Sequence, residues 1–386
     1  MIEADTLVVH GKVYYDKRLP VEWEDAYYKT VITPGVSDGH MHPQVIDPGT
    51  DNGLYRDSYD WIEKRELGID EAGIRRDPRI AGKLARLTYL RSLLEGTTLI
   101  AVTGSLLPNV VAWSALEEKP RTVFLPTTMR RKGWMRPWEI YDAEKKLEKS
   151  INDSVARLGI FVHSLRYTAP EDFIYSYNKV EKERWILGIH LSEGVKEVEL
   201  LARTMKREFF NRIAGVHCLV EDVKHFGINC VSCPATNTLL YNKLKENFLD
   251  IDSFGSDWPH LIGSVARHIG LIRNSYRIPL EILLFKLTTG GYLVYGMPSH
   301  GDLVAYDEPL EEVLTGKPDP VAVYVAGRKV VEEKQLTGLG YNISDLEDET
   351  IEAISEAYDL YASGNITKNR LMSRIKNARR VIQGIF

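Results

Sequence analysis

Two imidazoles separated by one residue, His40 and His42, stand at the end of the run Pro34-Gly35-Val36-Ser37-Asp38-Gly39-His40-Met41-His42. Side chains alternate faces with period two in an extended strand, so both rings point into one space. Three further donors each close a short apolar run: Trp185 to His190, Ile213 to His217 and Ile251 to Asp257. Converging strand ends would gather four histidines and a carboxylate around one metal ion. A divalent ion held by imidazoles and a carboxylate, with one position open, brings the pKa of bound water toward neutrality. The residues therefore point to a mononuclear hydrolase, in which Asp257 could both hold metal and take a proton from water. Glu193 follows His190 by three residues, on the loop above it, where a carboxyl can shuttle protons. Its alternative reading is an acid at the start of the helix from Val195.

The elements that must position these residues alternate. Apolar, β-rich runs occur at Val31 to Asp38, Thr97 to Thr103, Thr122 to Leu125, Ile160 to His163, Ile186 to His190, Ile213 to His217, Ile228 to Ser232 and Ile251 to Ser256. Helical spacing appears between them, as in Arg79 to Leu94, Val195 to Phe210 and Leu280 to Leu287. Eight β/α units predict an α/β chain folded as a (β/α)8 TIM barrel with catalytic residues at one face. Residues 5 to 14, around His10-Gly11-Lys12, and Val321 to Val331, around Gly327-Arg328-Lys329, read as hairpins. They predict a small β-sandwich domain formed from both termini, residues 1–32 and 296–337, flanking a barrel of 33–295. Residues 338–386 read as a C-terminal helical hairpin. Its capping box is expected at Ser344 and Glu347, with a stripe of Ile351, Ile354, Tyr358 and Tyr361 ending near Gly364. The first helix is acidic and the second basic, with Arg370, Arg374, Lys376, Arg379 and Arg380, which predicts charge-complementary packing. A partner or subunit contact is the alternative.

Length and composition set the bounds. With 386 residues, 44% hydrophobic and 27% charged, the chain can bury a large core. A formal charge of -5 argues against a broad nucleic-acid footprint. No apolar stretch approaches the roughly eighteen residues that cross a bilayer, and the start, with Glu3 and Asp5, lacks the order of a signal peptide. A cytoplasmic protein acting on a small molecule is expected, with no nucleic-acid or membrane partner; a homo-oligomer is allowed. Cys218, Cys230 and Cys233 cannot form a disulfide framework. The Cys230-x-x-Cys233 pair reads as structural burial, with redox or zinc use as the alternative. The segment Pro43 to Asp77, with Tyr55, Tyr59 and Trp61, reads as a lid over the site or as an ordinary surface excursion. His260, three residues beyond Asp257, is a candidate for the barrel mouth; His10, His225, His268 and His300 have no motif around them.

Together with Leu93-Leu94-Glu95-Gly96-Thr97-Thr98, His190-Leu191-Ser192-Glu193, Val216-His217-Cys218, Cys233-Pro234-Ala235-Thr236-Asn237 and Gly255-Ser256-Asp257-Trp258-Pro259, the opening motif resembles the amidohydrolase superfamily. The likeness covers residues 31 to 335 and points to the mononuclear branch of adenosine- and adenosylhomocysteine-type, guanine and cytosine deaminases and triazine hydrolases. It implies His40, His42, His190 and Asp257 as metal ligands, His217 bonded to the metal water or substrate, and Glu193 as the catalytic glutamate. One divalent ion is implied, zinc first, with iron or manganese as alternatives, because the strand-four run Ile160 to Thr168 has no lysine to bridge a second. The same run departs from the branch's substrate motif, leaving His163, Arg166, Tyr167 and Trp258 as candidates to grip substrate, while Asn237 is expected to steady the loop after strand seven. The implied reaction is hydrolysis of carbon–nitrogen bonds other than peptide bonds, deaminating an amino-substituted heterocycle by metal-activated hydroxide. Hydrolysis of a cyclic amide or of a ring substituent, and a barrel scaffold without catalysis, are the alternatives.

Overall fold

A computed structural model describes residues 1–19, 21, 26–51, 53–131, 133–148, 151, 154–204 and 207–383. The chain opens with strands β1 (Ile2–Val9), β2 (Lys12–Leu19) and β3 (Ala26–Pro34). It then runs through β4 (Val36–Met41), β5 (Thr97–Gly104), β6 (Arg121–Thr128), β7 (Ala156–Val162), β8 (Ile186–Leu191), β9 (Ile213–His217), β10 (Asn229–Ser232) and β11 (Ser253–Phe254). Finally β12 (Leu303–Tyr306), β13 (Ala322–Val325), β14 (Arg328–Glu332) and β15 (Gln335–Leu336) return to the first three. The terminal strands form one seven-stranded mixed sheet, ordered β15-β14-β13-β12-β3-β1-β2, over a core of Ile2, Ala4, Leu7, Ile32, Ala305, Ala322 and Tyr324.

Both expected hairpins close through two left-handed residues, His10-Gly11 (φ 48° and 81°) and Ala326-Gly327 (φ 53° and 80°). That backbone matches the right-handed twist of the flanking strands. The run expected as one strand from Val31 to Asp38 is divided between two sheets at Gly35. Its first half pairs with β12 and its second with β5. A side chain at position 35 would meet Thr98 Oγ1 at 1.7 Å, so only glycine lets the chain cross there.

Strands β4 to β11 form an eight-stranded parallel sheet in sequence order. Helices and the terminal sheet cover its outside, which is why its strands read as near-continuous apolar runs. Closure into a barrel is made by the candidate ligands' own backbones. His42 N–H donates to Asp257 O at 2.7 Å and Asp257 N–H to His40 O at 2.9 Å.

The helix Pro78–Leu94 starts where the Asp77 carboxylate accepts from the N–H groups of Arg79 and Ile80. In place of one helix from Val195 to Phe210 there are a short α-helix, Val198–Thr204, and a 3-10 segment, Arg207–Arg212; residues 205 and 206 of the expected helix lie outside the described residues. The terminal helices are Ile343–Tyr361 and Lys368–Gln383. The first is capped by Asn342 with Asp345, two residues before the expected Ser344 and Glu347. Glu347 is instead drawn into ion pairs with Arg91 at 2.6 Å and Arg379 at 2.8 Å, the second joining the acidic helix to the basic one. Ile351 points outward, 44% exposed, while Leu346, Ala353, Ile354 and Ala357 form the buried stripe. Among the described residues, no helix is long and apolar enough to cross a membrane.

Candidate functional site

Three imidazoles meet at the mouth of the barrel. His40 Nε2 lies 3.0 Å from His42 Nε2 and 3.2 Å from His190 Nε2, and the last two are 3.4 Å apart. Hydrogen bonds cannot explain this triangle. Each Nε2 either bears a proton or offers a lone pair, so among three mutual neighbours at least one pair is alike and repels. Asp257 Oδ1 adds a fourth donor at 3.6 Å from His40 Nε2 and 3.4 Å from His42 Nε2. Nitrogen ligands about 2.0–2.1 Å from a tetrahedral ion stand roughly 3.3–3.4 Å apart, close to these separations. The donor set therefore fits one divalent ion.

The surroundings prepare the rings for that role. Burial, with the neighbouring imidazoles, lowers the pKa of His42 to about 3; burial also lowers His40, and holds His190 well below its ordinary value. The rings are thus neutral ligands at physiological pH. The Thr103 hydroxyl donates to Met41 O at 3.0 Å, so its oxygen accepts from His42 Nδ1 at 2.8 Å. The proton sits on Nδ1 and the lone pair on Nε2 faces the centre. Asp38, fully buried, accepts from the backbone N–H groups of Ser256 at 2.9 Å, Val265 at 3.2 Å and His40 at 3.3 Å. It ties β4 to the turn that carries Asp257, and burial pushes its carboxyl up to about 7. Gly255 is required beside it, because a Cβ there would sit 2.8 Å from the His40 Cβ.

His217 and Asp257 both adopt left-handed backbone, φ 72° and 67°, at the ends of their runs. Such conformations cost roughly 1–3 kcal/mol each and persist where surrounding structure enforces them. His217 Nδ1 is 2.8 Å from Asn237 Oδ1. The Asn237 amide thus orients an imidazole, a role beyond the loop-steadying one expected. His217 Nε2 lies 3.5 Å from Glu193 Oε1 and 3.9 Å from Asp257 Oδ2. Glu193 is buried and its carboxyl is raised by that burial, while Tyr241 OH donates to its Oε1 at 2.6 Å. Cys233 lies beside His217 and Asp257, with the donor atoms of all three within 4.8 Å of one another, and burial raises its thiol well above the ordinary value. All three cysteines are free and buried.

A cavity of about 390 Å³ opens onto this centre. His42, His163, His190, Glu193, His217, Asp257 and Trp258 line it. The ring of His163 stands 5.0 Å from that of His190, and burial lowers its pKa to about 3. Arg166 and Tyr167 are outside the lining. The Arg166 guanidinium pairs with Glu63 at 2.6 Å, 53% exposed, and packs over Tyr59. His260 is likewise away from the mouth, buried with Nε2 3.1 Å from both Thr88 Oγ1 and Leu84 O.

The segment from Pro43 to Asp77 adds to the lining Ser58, Trp61, Arg65, Glu71 and Arg75. The C-terminal hairpin holds this segment. Arg374, 1% exposed, reaches Asp47 at 3.4 Å and Asp51 at 3.0 Å, and Ser363 N–H donates to Gly68 O at 2.9 Å. Ser363 and Asn365 themselves line the cavity. Nothing in their local sequence marks them, because they reach the mouth only through tertiary packing.

No protein-family model matches the chain, and no curated protein matches it in sequence. Solved structures do match in fold. Atrazine chlorohydrolase from Arthrobacter aurescens TC1 complexed with zinc aligns with TM-score 0.69 and 15% identity over 92% of this chain and 100% of its own. An adenosine deaminase from Xanthomonas campestris with bound zinc aligns with TM-score 0.72 and 14% identity over 93% and 98%. An amidohydrolase from an environmental sample of the Sargasso Sea aligns with TM-score 0.67 and 14% identity over 93% and 98%. The chain shares its fold with an atrazine chlorohydrolase, an adenosine deaminase and an amidohydrolase, the group its sequence motifs resemble.

Proposed function

We propose that this protein is a metal-dependent hydrolase of non-peptide carbon–nitrogen bonds, and that it deaminates an amino-substituted heterocycle. The observation that carries the reading is the placement of Glu193 and Asp257 on either side of His217, beside three imidazole nitrogens without a hydrogen-bonding solution. His40, His42, His190 and Asp257 would hold the ion, and the zinc in two of the similar structures supports zinc. A bound divalent ion supplies Lewis acidity and an ionised water near neutral pH.

The chain's own groups handle the protons. A carboxyl raised by burial keeps its proton at higher pH than an ordinary glutamate, so Glu193 can give it to a ring nitrogen as a C–O bond forms at the adjacent carbon. His217, with Nδ1 held by Asn237, points Nε2 at the reacting space. Asp257 accepts a proton from water and passes it to the exocyclic amine, so the C–N bond breaks with release of ammonia while Glu193 recovers a proton from the new hydroxyl as it becomes the product carbonyl. Trp61 and Trp258, with ring centroids 5.5 Å apart, give the cavity flat apolar walls suited to a planar ring.

The test is ammonia release from a panel of aminopurines, aminopyrimidines and their nucleosides by zinc-loaded protein. Glu193→Gln should lower turnover of the best substrate about 10²–10⁴-fold, the range for a general acid–base group, with zinc content unchanged. Full activity in that variant removes Glu193 from the mechanism. Product formation without ammonia would move the reading to ring opening or loss of another substituent.

A further inference from the structure

One wall of the cavity carries more positive charge than its own carboxylates can neutralise. Arg65 and Arg75 both line it, with side chains 14% and 10% exposed, and both turn to the same group, Glu71. Arg65 takes both carboxylate oxygens, at 3.2 Å and 2.9 Å. Arg75 is left 3.6 Å from Glu71 Oε2, which already serves Arg65, and its buried Nε has no hydrogen-bond partner. Arg131 also lines the cavity, and no carboxylate pairs with it among the described residues. Asp70, at the rim, is 53% exposed and stands 3.9 Å from Arg76.

The two inner guanidinium groups are held in place. Arg65 lies 4.6 Å over the Trp61 ring and Arg75 lies 3.9 Å over the Trp134 ring. Stacking fixes the plane of a guanidinium, so its N–H fork is preorganised for a planar or tetrahedral oxyanion. A buried cation with unused donors is costly unless a partner arrives. The mouth's own acids do not supply one, because Glu193 and Asp257 face His217.

We infer that Arg75, with Arg65 and Arg131, binds an anionic oxygen group on the substrate, a carboxylate or phosphate attached to the ring that reacts at the metal centre. The inference deepens the deaminase reading and rests on it for the identity of the reacting ring. The cavity volume, about 390 Å³, admits a heterocycle with one such substituent.

The test is calorimetric binding to the zinc-loaded, full-length protein of three probes with one ring: uracil, orotate and uridine 5′-monophosphate. Orotate or the phosphate should bind at least tenfold more tightly than uracil, and which of them does so identifies carboxylate or phosphate as the group. Arg75→Met should erase that advantage, and Arg75→Lys, which keeps the charge but loses the fork, should retain part of it. Equal binding of the three probes by the unaltered protein overturns the inference, as does an advantage that survives in Arg75→Met. If both variants fail to fold, the comparison of probes on the unaltered protein decides. An Arg75-dependent preference in a protein that releases no ammonia from any substrate would leave the anion site standing and remove the deaminase reading.

Discussion

Thr103→Val isolates the orientation of one proposed ligand from the ligand itself. Valine has nearly the shape of threonine, and the site is fully buried, so packing changes little. Two hydrogen bonds disappear: the hydroxyl to Met41 O at 3.0 Å and the bond from His42 Nδ1 at 2.8 Å. The Nδ1–H is left without its acceptor, a cost of about 1–3 kcal/mol for a buried donor. The ring can escape this by moving its proton to Nε2, which removes the lone pair from the metal centre. Either way the loss falls on metal binding, and partners of this kind typically contribute 10–100-fold in metal affinity. Competition for zinc against a chromophoric chelator measures it directly. Thr103→Val should bind zinc 10–100-fold more weakly, and Thr103→Ser, which keeps the hydroxyl, should stay within a fewfold of the unaltered protein. Equal affinities in all three proteins would refute the assignment of the His42 proton to Nδ1.

Tyr241→Phe tests Glu193 through pH. Activity that needs a protonated Glu193 is present below its pKa and lost as pH rises through it; Tyr241's hydrogen bond lowers that pKa, so the variant should shift the alkaline limb of kcat upward. A limb that stays in place or moves downward contradicts Glu193 as the proton donor. Arg374→Met leaves Asp47 buried without its cation, and breaking such a pair costs roughly 3–5 kcal/mol. Thermal unfolding should show a Tm lower by several degrees, and an unchanged Tm would mean that the C-terminal hairpin does not hold the segment from Pro43 to Asp77 as described.

Local pattern was enough to find the barrel. All eight runs read from composition lie in or overlap strands of the parallel sheet or its edge, because a strand covered on both faces is apolar along its length. The errors fall where local rules compete. Ser344 and Glu347 satisfy a capping pattern, but Asn342 and Asp345 satisfy it two residues earlier, which leaves Glu347 free for Arg91 and Arg379. Gly35 divides an uninterrupted β-like run because Thr98, far along the chain, occupies the space a side chain would need.

Residue chemistry and spacing alone marked His40, His42, His190, His217 and Asp257 as groups able to share a site, since each sits at the end of an apolar run, and Glu193 by its place three residues after His190. Tertiary structure decided how near they come and what surrounds them. The left-handed turns at His217 and Asp257, the Thr103 and Asn237 bonds that orient two imidazoles, and the arrival of Ser363 and Asn365 from the C-terminal hairpin depend on contacts between residues far apart in the chain. A linear sequence records which side chains are present and how they alternate; the distances between strand ends, and the charge left unmatched around Arg75, exist only once the barrel closes.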